Sequence, residues 1–149
     1  MKVRSLMSAP VITAHADMSL KEIIHLLNTH DISGVPVVDN DGKVIGMIGW
    51  PELFPRIRMV GRPAVYIPVL FREIVDLKNT VDSYKESTHL TAKDIMSHSP
   101  VFVDVEDNIG EVVWTMVQDD LYMVPVLEGT NLAGILTRRD FVRFLAQEL

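Results

Sequence analysis

The chain states one pattern twice. Residues 6–53 and 95–141 each carry a Met-Ser pair, a Pro leading a short apolar strand, an amphipathic helix, a Val-Pro-Val strand, and a Gly-apolar-apolar strand that feeds another helix. In the first copy these are Met7-Ser8, Pro10-Val11-Ile12, the helix from Ser19, Val35-Pro36-Val37-Val38 and Gly46-Met47-Ile48. The second has Met96-Ser97, Pro100-Val101-Phe102, the helix from Asn108, Val124-Pro125-Val126-Leu127 and Gly134-Ile135-Leu136. A unit this short cannot bury its apolar face alone, so the copies are expected to pack on each other about a pseudo-twofold axis. The seam between them is then where a ligand would sit.

Periodicity places the elements. Leu20, Ile23, Ile24 and Leu27 recur at helical spacing, as do Ile109, Val112, Val113 and Met116. Ser19 precedes Glu22 by three and Asn108 precedes Glu111 by three, each pair able to satisfy free N–H groups of a first helical turn. Val35–Val38 is followed by the turn sequence Asp39-Asn40-Asp41-Gly42 and then a hairpin partner, and Glu128-Gly129-Thr130-Asn131 plays the same part in the second copy. Each repeat is therefore β-α-β-β-α, and the fold class is α/β (α+β). The organisation read here is a first repeat at 1–53, an insert at 54–91 and a second repeat at 92–149, together one module.

Composition narrows the function. A net charge of −6 argues against a nucleic-acid binder, which needs a basic face to displace counterions from phosphates. There is no cysteine, hence no disulfide framework and no thiolate nucleophile or metal ligand. Neither a signal peptide nor a run long and apolar enough to span a membrane is visible, so a cytoplasmic protein is expected. His15, His25, His30, His89 and His98 lack metal-ligand spacing, and no nucleophile elbow, Walker loop or kinase signature occurs. Neither an enzyme, nor a catalytic cofactor, nor a bound metal is expected.

The runs Asp94-Ile95-Met96-Ser97, Asp31-Ile32-Ser33-Gly34-Val35-Pro36-Val37-Val38-Asp39 and Gly134-Ile135-Leu136-Thr137-Arg138-Arg139-Asp140 resemble those of tandem cystathionine-β-synthase (CBS) domains, the pair called a Bateman module. The resemblance covers residues 3–53 and 92–145. It implies a regulatory module without catalysis of its own, binding an adenosyl ligand such as AMP, ADP, ATP or S-adenosylmethionine.

The residues at Thr137–Asp140 bear two readings. They open a helix after an apolar strand, where free N–H groups and the helix dipole favour an anion. A Thr hydroxyl there can donate to phosphate, the two oxygens of Asp140 match the two vicinal hydroxyls of ribose, and Arg138, Arg139 and Arg143 add local positive charge. Thr followed three residues later by Asp is equally a helix-capping signal, as at Thr91 and Asp94. If Asp140 holds ribose, exchange for Asn should cost affinity and little stability.

By the resemblance, one repeat holds phosphate and ribose while the other supplies the adenine wall. Carried over, the ligand set is Thr137, Arg138, Arg139 and Asp140 with Met7, Ile12, Ile32, Ser33, Gly34 and Val35, and Tyr122 reaching into the seam. Ile12 and Ile32 would pack the purine and Gly34 would let backbone approach it. The first repeat departs from the pattern, with Gly49-Trp50-Pro51-Glu52 where the second has Thr137-Arg138-Arg139-Asp140. An asymmetric module is expected: one competent site, and a vestigial one at Glu52 lined by Phe102, Leu121, Tyr122 and Met123.

The insert has a basic front at Arg56, Arg58 and Arg62, then Leu70, Ile74, Leu77, Val81 and Tyr84 at helical spacing, with Arg72 and Asp76 on another face. Trp114 falls off the main apolar stripe of its helix, which suits a helix-to-helix homodimer contact alongside Phe141–Leu145. With no effector domain in the sequence, the expected output is to a separate regulated protein. The reading from another class is an interaction scaffold whose ligand site has decayed and whose insert helix binds a partner.

Overall fold

The computed structural model describes residues 1–53, 82 and 85–149. Two three-stranded sheets repeat one topology. In the first, β1 (Ala14–His15) runs parallel to β2 (Val35–Val38), which pairs antiparallel with β3 (Val44–Ile48). In the second, β4 (Val103–Asp104), β5 (Met123–Glu128) and β6 (Asn131–Thr137) repeat those pairings. The crossovers are α1 (Leu20–Thr29) and α4 (Ile109–Gln118), and the last strands feed α2 (Trp50–Leu53) and α5 (Arg138–Glu148). A short helix, α3 (Ala92–Ile95), precedes the second sheet. The helical spacing at Leu70–Tyr84 and the arginines at 56, 58 and 62 lie outside the described residues.

The helix starts follow their sequence signals closely. Ser19 and Glu22 form a reciprocal capping box, as do Thr91 and Asp94. Asn108 caps α4 differently, its side chain accepting from the Gly110 N–H at 2.9 Å. The first strands start later than expected, at Ala14 and Val103. Pro10 and Pro100 lack the N–H a ladder needs, and pairing begins beyond them. Pro36 and Pro125 sit in central strands, yet β1 reaches only Val37 and Val38, and β4 only Val126 and Leu127. Both prolines therefore have a ladder on one side alone, like edge positions.

Packing does not follow the sequence repeat. Val3 and Leu6 are buried in the second core with Val105, Val112, Met116, Val124, Val126 and Leu136. Ala92, Ile95 and Met96 are buried in the first with Ala14, Leu20, Ile23, Val35, Val37 and Ile48. Ser8 pairs with Ile135 and Ser97 with Met47 through their backbones. Each repeat thus lends its leading segment to the other. A Cβ on Gly134 would strike Met7 Sδ at 2.4 Å, and one on Gly46 would strike Met96 Sδ at 2.5 Å. The glycines of the repeated Gly-apolar-apolar strand make room for the repeated methionine.

Candidate functional site: the seam between the repeats

The pseudo-twofold relation brings the residues before β2 and β5 face to face. Ser33 and Trp50 of the first repeat and Tyr122 and Met123 of the second line a cavity of about 280 Å³. Gly34 and Met123 are pseudo-equivalent, each directly preceding its Val-Pro-Val. A Cβ on Gly34 would lie 2.2 Å from Met123 Cε and 2.7 Å from the Ile48 carbonyl oxygen. One large and one absent side chain therefore share one place. Gly34 does permit close approach, but what approaches it here is the Met123 thioether.

The second repeat supplies charge. The Arg138 guanidinium stacks over the Tyr122 ring, 4.5 Å from its centroid, while its Nε donates to the Leu121 carbonyl at 3.0 Å and its Nη2 to Asp120 at 2.7 Å. Arg139 reaches across the seam to Asp31 at 3.8 Å, both side chains largely exposed. Two arginines thus stand on the first turn of α5, next to the residues that precede β2. Trp50, at the position matching Arg138, is 57% exposed and lines the cavity.

Asp140 is the buried polar residue of the described core, at 2% exposure. Its Oδ2 accepts from the Thr137 N–H at 2.8 Å and the Thr137 hydroxyl at 2.7 Å. Its Oδ1 accepts from the Ser8 hydroxyl at 2.7 Å and from Arg143 at 2.8 Å. Thr137 accepts in return from the Asp140 N–H, which completes a capping box at the start of α5. The carboxylate is filled by donors of its own chain, close to its full acceptor capacity. The sequence alone predicts that Asn at 140 leaves folding nearly untouched; the burial and the four donors give the carboxylate a structural part in the ligand-free chain, and a stability cost is expected instead.

The other expected residues divide. Ser33 and Tyr122 meet at the cavity. Ile12 and Ile32 are half-buried against the first core and Val35 is fully buried within it. Met7 packs on the second core. On the other side, Met123 lines the cavity, Leu121 packs on the second core, and Phe102 stays 41% exposed. Glu52 accepts from the Gly49 N–H at 2.8 Å, and burial holds its carboxyl above the ordinary range, with that N–H pulling the other way. Trp50 and Ser8 are the residues sequence reasoning passed over. Their signal was positional: Trp50 matches Arg138, and Ser8 belongs to the repeated Met-Ser pair.

A larger concavity, about 580 Å³, is an open groove along α1 between Met18 and His30 and touches none of these groups. Among the described residues, no three His, Cys, Asp or Glu side chains stand together to hold a metal ion, and no helix is long and apolar enough to cross a membrane.

Comparison with known proteins bears on both repeats. The family described as CBS domain matches residues 3–55 and 92–147. An uncharacterized protein of Methanocaldococcus jannaschii is 23% identical over 97% of this chain and 91% of its own length. Two further curated relatives match over about a third of theirs, 32% and 34%. Among solved structures, the CBS domain pair of protein MJ0100 in complex with 5′-methylthioadenosine and S-adenosyl-L-methionine has a TM-score of 0.72 at 21% identity, covering 100% of this chain and 98% of that one. CBSX2 in complex with AMP also has a TM-score of 0.72, at 19% identity, covering 99% and 97%.

Proposed function

The chain belongs to the CBS domain family, and from that premise we propose that it is a cytoplasmic regulatory module that binds an adenosine-containing ligand in the seam between its repeats. AMP, ADP, ATP and S-adenosylmethionine are the class. Binding changes the fit between the repeats and so what a partner protein meets.

The observation that carries this reading is the seam: a cavity lined by Tyr122 and Trp50, beside two arginines on the first turn of α5. An aromatic wall suits a purine face, and arginines at a helix N-terminus suit phosphate. Arg138 and Arg139 are engaged in exposed ion pairs, each worth about 0–1 kcal/mol, which a phosphate can take over. The cavity lies just under the roughly 300–1,000 Å³ of small-molecule sites, so it suits the base, with sugar and phosphate lying along the start of α5. Two solved neighbours are named as complexes with AMP and with S-adenosyl-L-methionine and 5′-methylthioadenosine, which accords with the same class.

The module acts as a homodimer. In support, Trp114 and Val117 on α4 are 66% and 63% exposed and Val142 on α5 is 63% exposed, an apolar surface that a second copy would cover.

Calorimetry with AMP, ADP, ATP and S-adenosylmethionine, against GMP and GTP, tests the ligand class. Micromolar to submillimolar binding of an adenosine ligand, weaker for guanosine, is the expected result. Equal guanosine binding, or no heat from any of them, rejects the sensor.

A further inference from the structure

We infer that Ser8 competes with the ligand for Asp140, so that ribose recognition releases the N-terminal segment from the second repeat. The inference rests on the adenosyl reading and adds its output. A ribose offers two vicinal donors, and a carboxylate meets both only if two acceptor positions are open. At Asp140 none is open. Thr137 holds Oδ2 through its N–H and its hydroxyl, inside the cap of α5. Oδ1 is held by Ser8 and Arg143.

These last two donors differ in what their departure costs. Arg143 has a side chain 56% exposed and can swing into water. One ribose hydroxyl can then take its place. The second hydroxyl needs the position of the Ser8 hydroxyl, which is a side-chain tie added to backbone pairing of the same residue. Its N–H donates to the Ile135 carbonyl and its carbonyl accepts from Ile135, while Met7 beside it fills the space at Gly134. Upstream, Val3 and Leu6 are buried in the second core, and Lys2 donates to the Glu106 carbonyl. Displacing the Ser8 hydroxyl therefore removes one of the ties that hold residues 1–8, the stretch that one repeat lends to the other.

The pseudo-equivalent place is built otherwise. Ser97 donates its hydroxyl to the Met47 carbonyl at 3.2 Å, and Glu52 is engaged by the Gly49 N–H. The serine-to-carboxylate latch is thus a feature of the Asp140 side, and occupancy there reports through residues 1–8.

The test compares AMP with 2′-deoxy-AMP on wild type, Ser8→Ala and Ser8→Thr by calorimetry, with amide exchange of residues 1–8 read alongside. Ser8→Ala removes a competing donor and should bind AMP about ten- to a hundredfold tighter. Ser8→Thr keeps the hydroxyl and should match wild type. 2′-Deoxy-AMP has lost one of the two vicinal donors and can use the Arg143 position alone, so its affinity should not respond to Ser8→Ala. In wild type, AMP should speed exchange in residues 1–8. If AMP binds wild type while Ser8→Ala binds equally or more weakly, or residues 1–8 stay protected, the competition is wrong and the adenosyl reading stands. If none of the three variants binds AMP, ADP, ATP or S-adenosylmethionine, the adenosyl reading fails and the competition falls with it.

Discussion

Truncating Asp140 in the ligand-free chain should be among the most damaging single polar substitutions in this protein, and the structure gives the size. Asp140→Ala removes the acceptor for four donors at a position 2% exposed. The cap at α5 is worth about 1 kcal/mol, within a range of about 0.5–2. The Ser8 hydroxyl loses a hydrogen bond to a charged group, worth about 1.5–3 kcal/mol. The Arg143 pair adds little, because its guanidinium is half in water. Removing a buried charge returns some desolvation energy, and the groups share one network, so the sum is not strictly additive. A net loss of about 2–3 kcal/mol follows. Asp140→Asn can keep an oxygen toward Thr137 and turn its amide toward Ser8, whose hydroxyl can accept, so about half of that loss is expected. Urea denaturation followed by circular dichroism measures both, and at this chain length each kcal/mol should lower Tm by about 2–4 °C. Asp140→Ala within about 0.5 kcal/mol of wild type would refute the reasoning, since only a surface position behaves so.

Other outcomes follow from single contacts. Gly34→Ala places a Cβ 2.7 Å from the Ile48 carbonyl as well as against Met123, so it should destabilise by about 1–3 kcal/mol, and adding Met123→Ala should recover only part, as urea melts would show. Leu6→Ala, at 7% exposure in the second core, should cost about 2–4 kcal/mol in the same assay although residue 6 lies in the first sequence repeat. Glu52 is held above its ordinary range by burial, so the folded state keeps its proton to higher pH than the unfolded chain; the contribution to stability is fully present below the usual carboxylate range and is lost as pH rises through Glu52's own range. Glu52→Gln should accordingly melt higher than wild type near neutral pH, with the gap closing toward about pH 4. Trp114→Glu should shift the light-scattering mass from dimer to monomer, and a wild type that is already monomeric at tens of micromolar would remove the dimer proposal.

The fold was legible in the sequence because its signals are local and occur twice. Val35–Val38 and Val124–Leu127 mark central strands by β-branching, Ser19 with Glu22 marks a helix start, and Gly42 and Gly129 mark hairpin turns in which φ is indeed positive, at 77° and 64°. What was not legible is which repeat each leading segment joins. Val3 and Leu6 are apolar and adjacent in sequence to the first repeat, and no pattern within six residues says that they cross the seam. The site was half legible for the same reason. Thr137–Asp140 could be found by spacing, but spacing alone cannot separate a cap from a ligand group, and one of the two donors on Oδ1 comes from 132 residues away. The pairing of Gly34 with Met123 was written at matching positions, yet only the seam geometry turns a glycine and a methionine into one shared space.

The exchange of leading segments explains why asymmetry between the two halves can carry information. In a pair of self-contained repeats, a ligand at one half would act on the other only through their common face. Here residues 3–6 are core to the second repeat and residues 92–96 are core to the first, so each half is completed by chain that belongs to the other in sequence. A change at either lent segment is therefore felt across the seam without any long pathway, through contiguous packing and backbone pairing at Ser8–Ile135 and Met47–Ser97. Of these two junctions, the Ser8 hydroxyl is tied to a buried carboxylate, whereas the Ser97 hydroxyl is tied to a main-chain carbonyl that also accepts from the Ser97 N–H. A donor on a ligand that replaces the serine hydroxyl gains a charge-assisted hydrogen bond at the carboxylate and only a neutral one at the carbonyl. In the proposed competition, what separates the two halves is thus the difference between Asp140, which accepts from Ser8, and the Gly49–Glu52 turn that stands in its place in the first repeat.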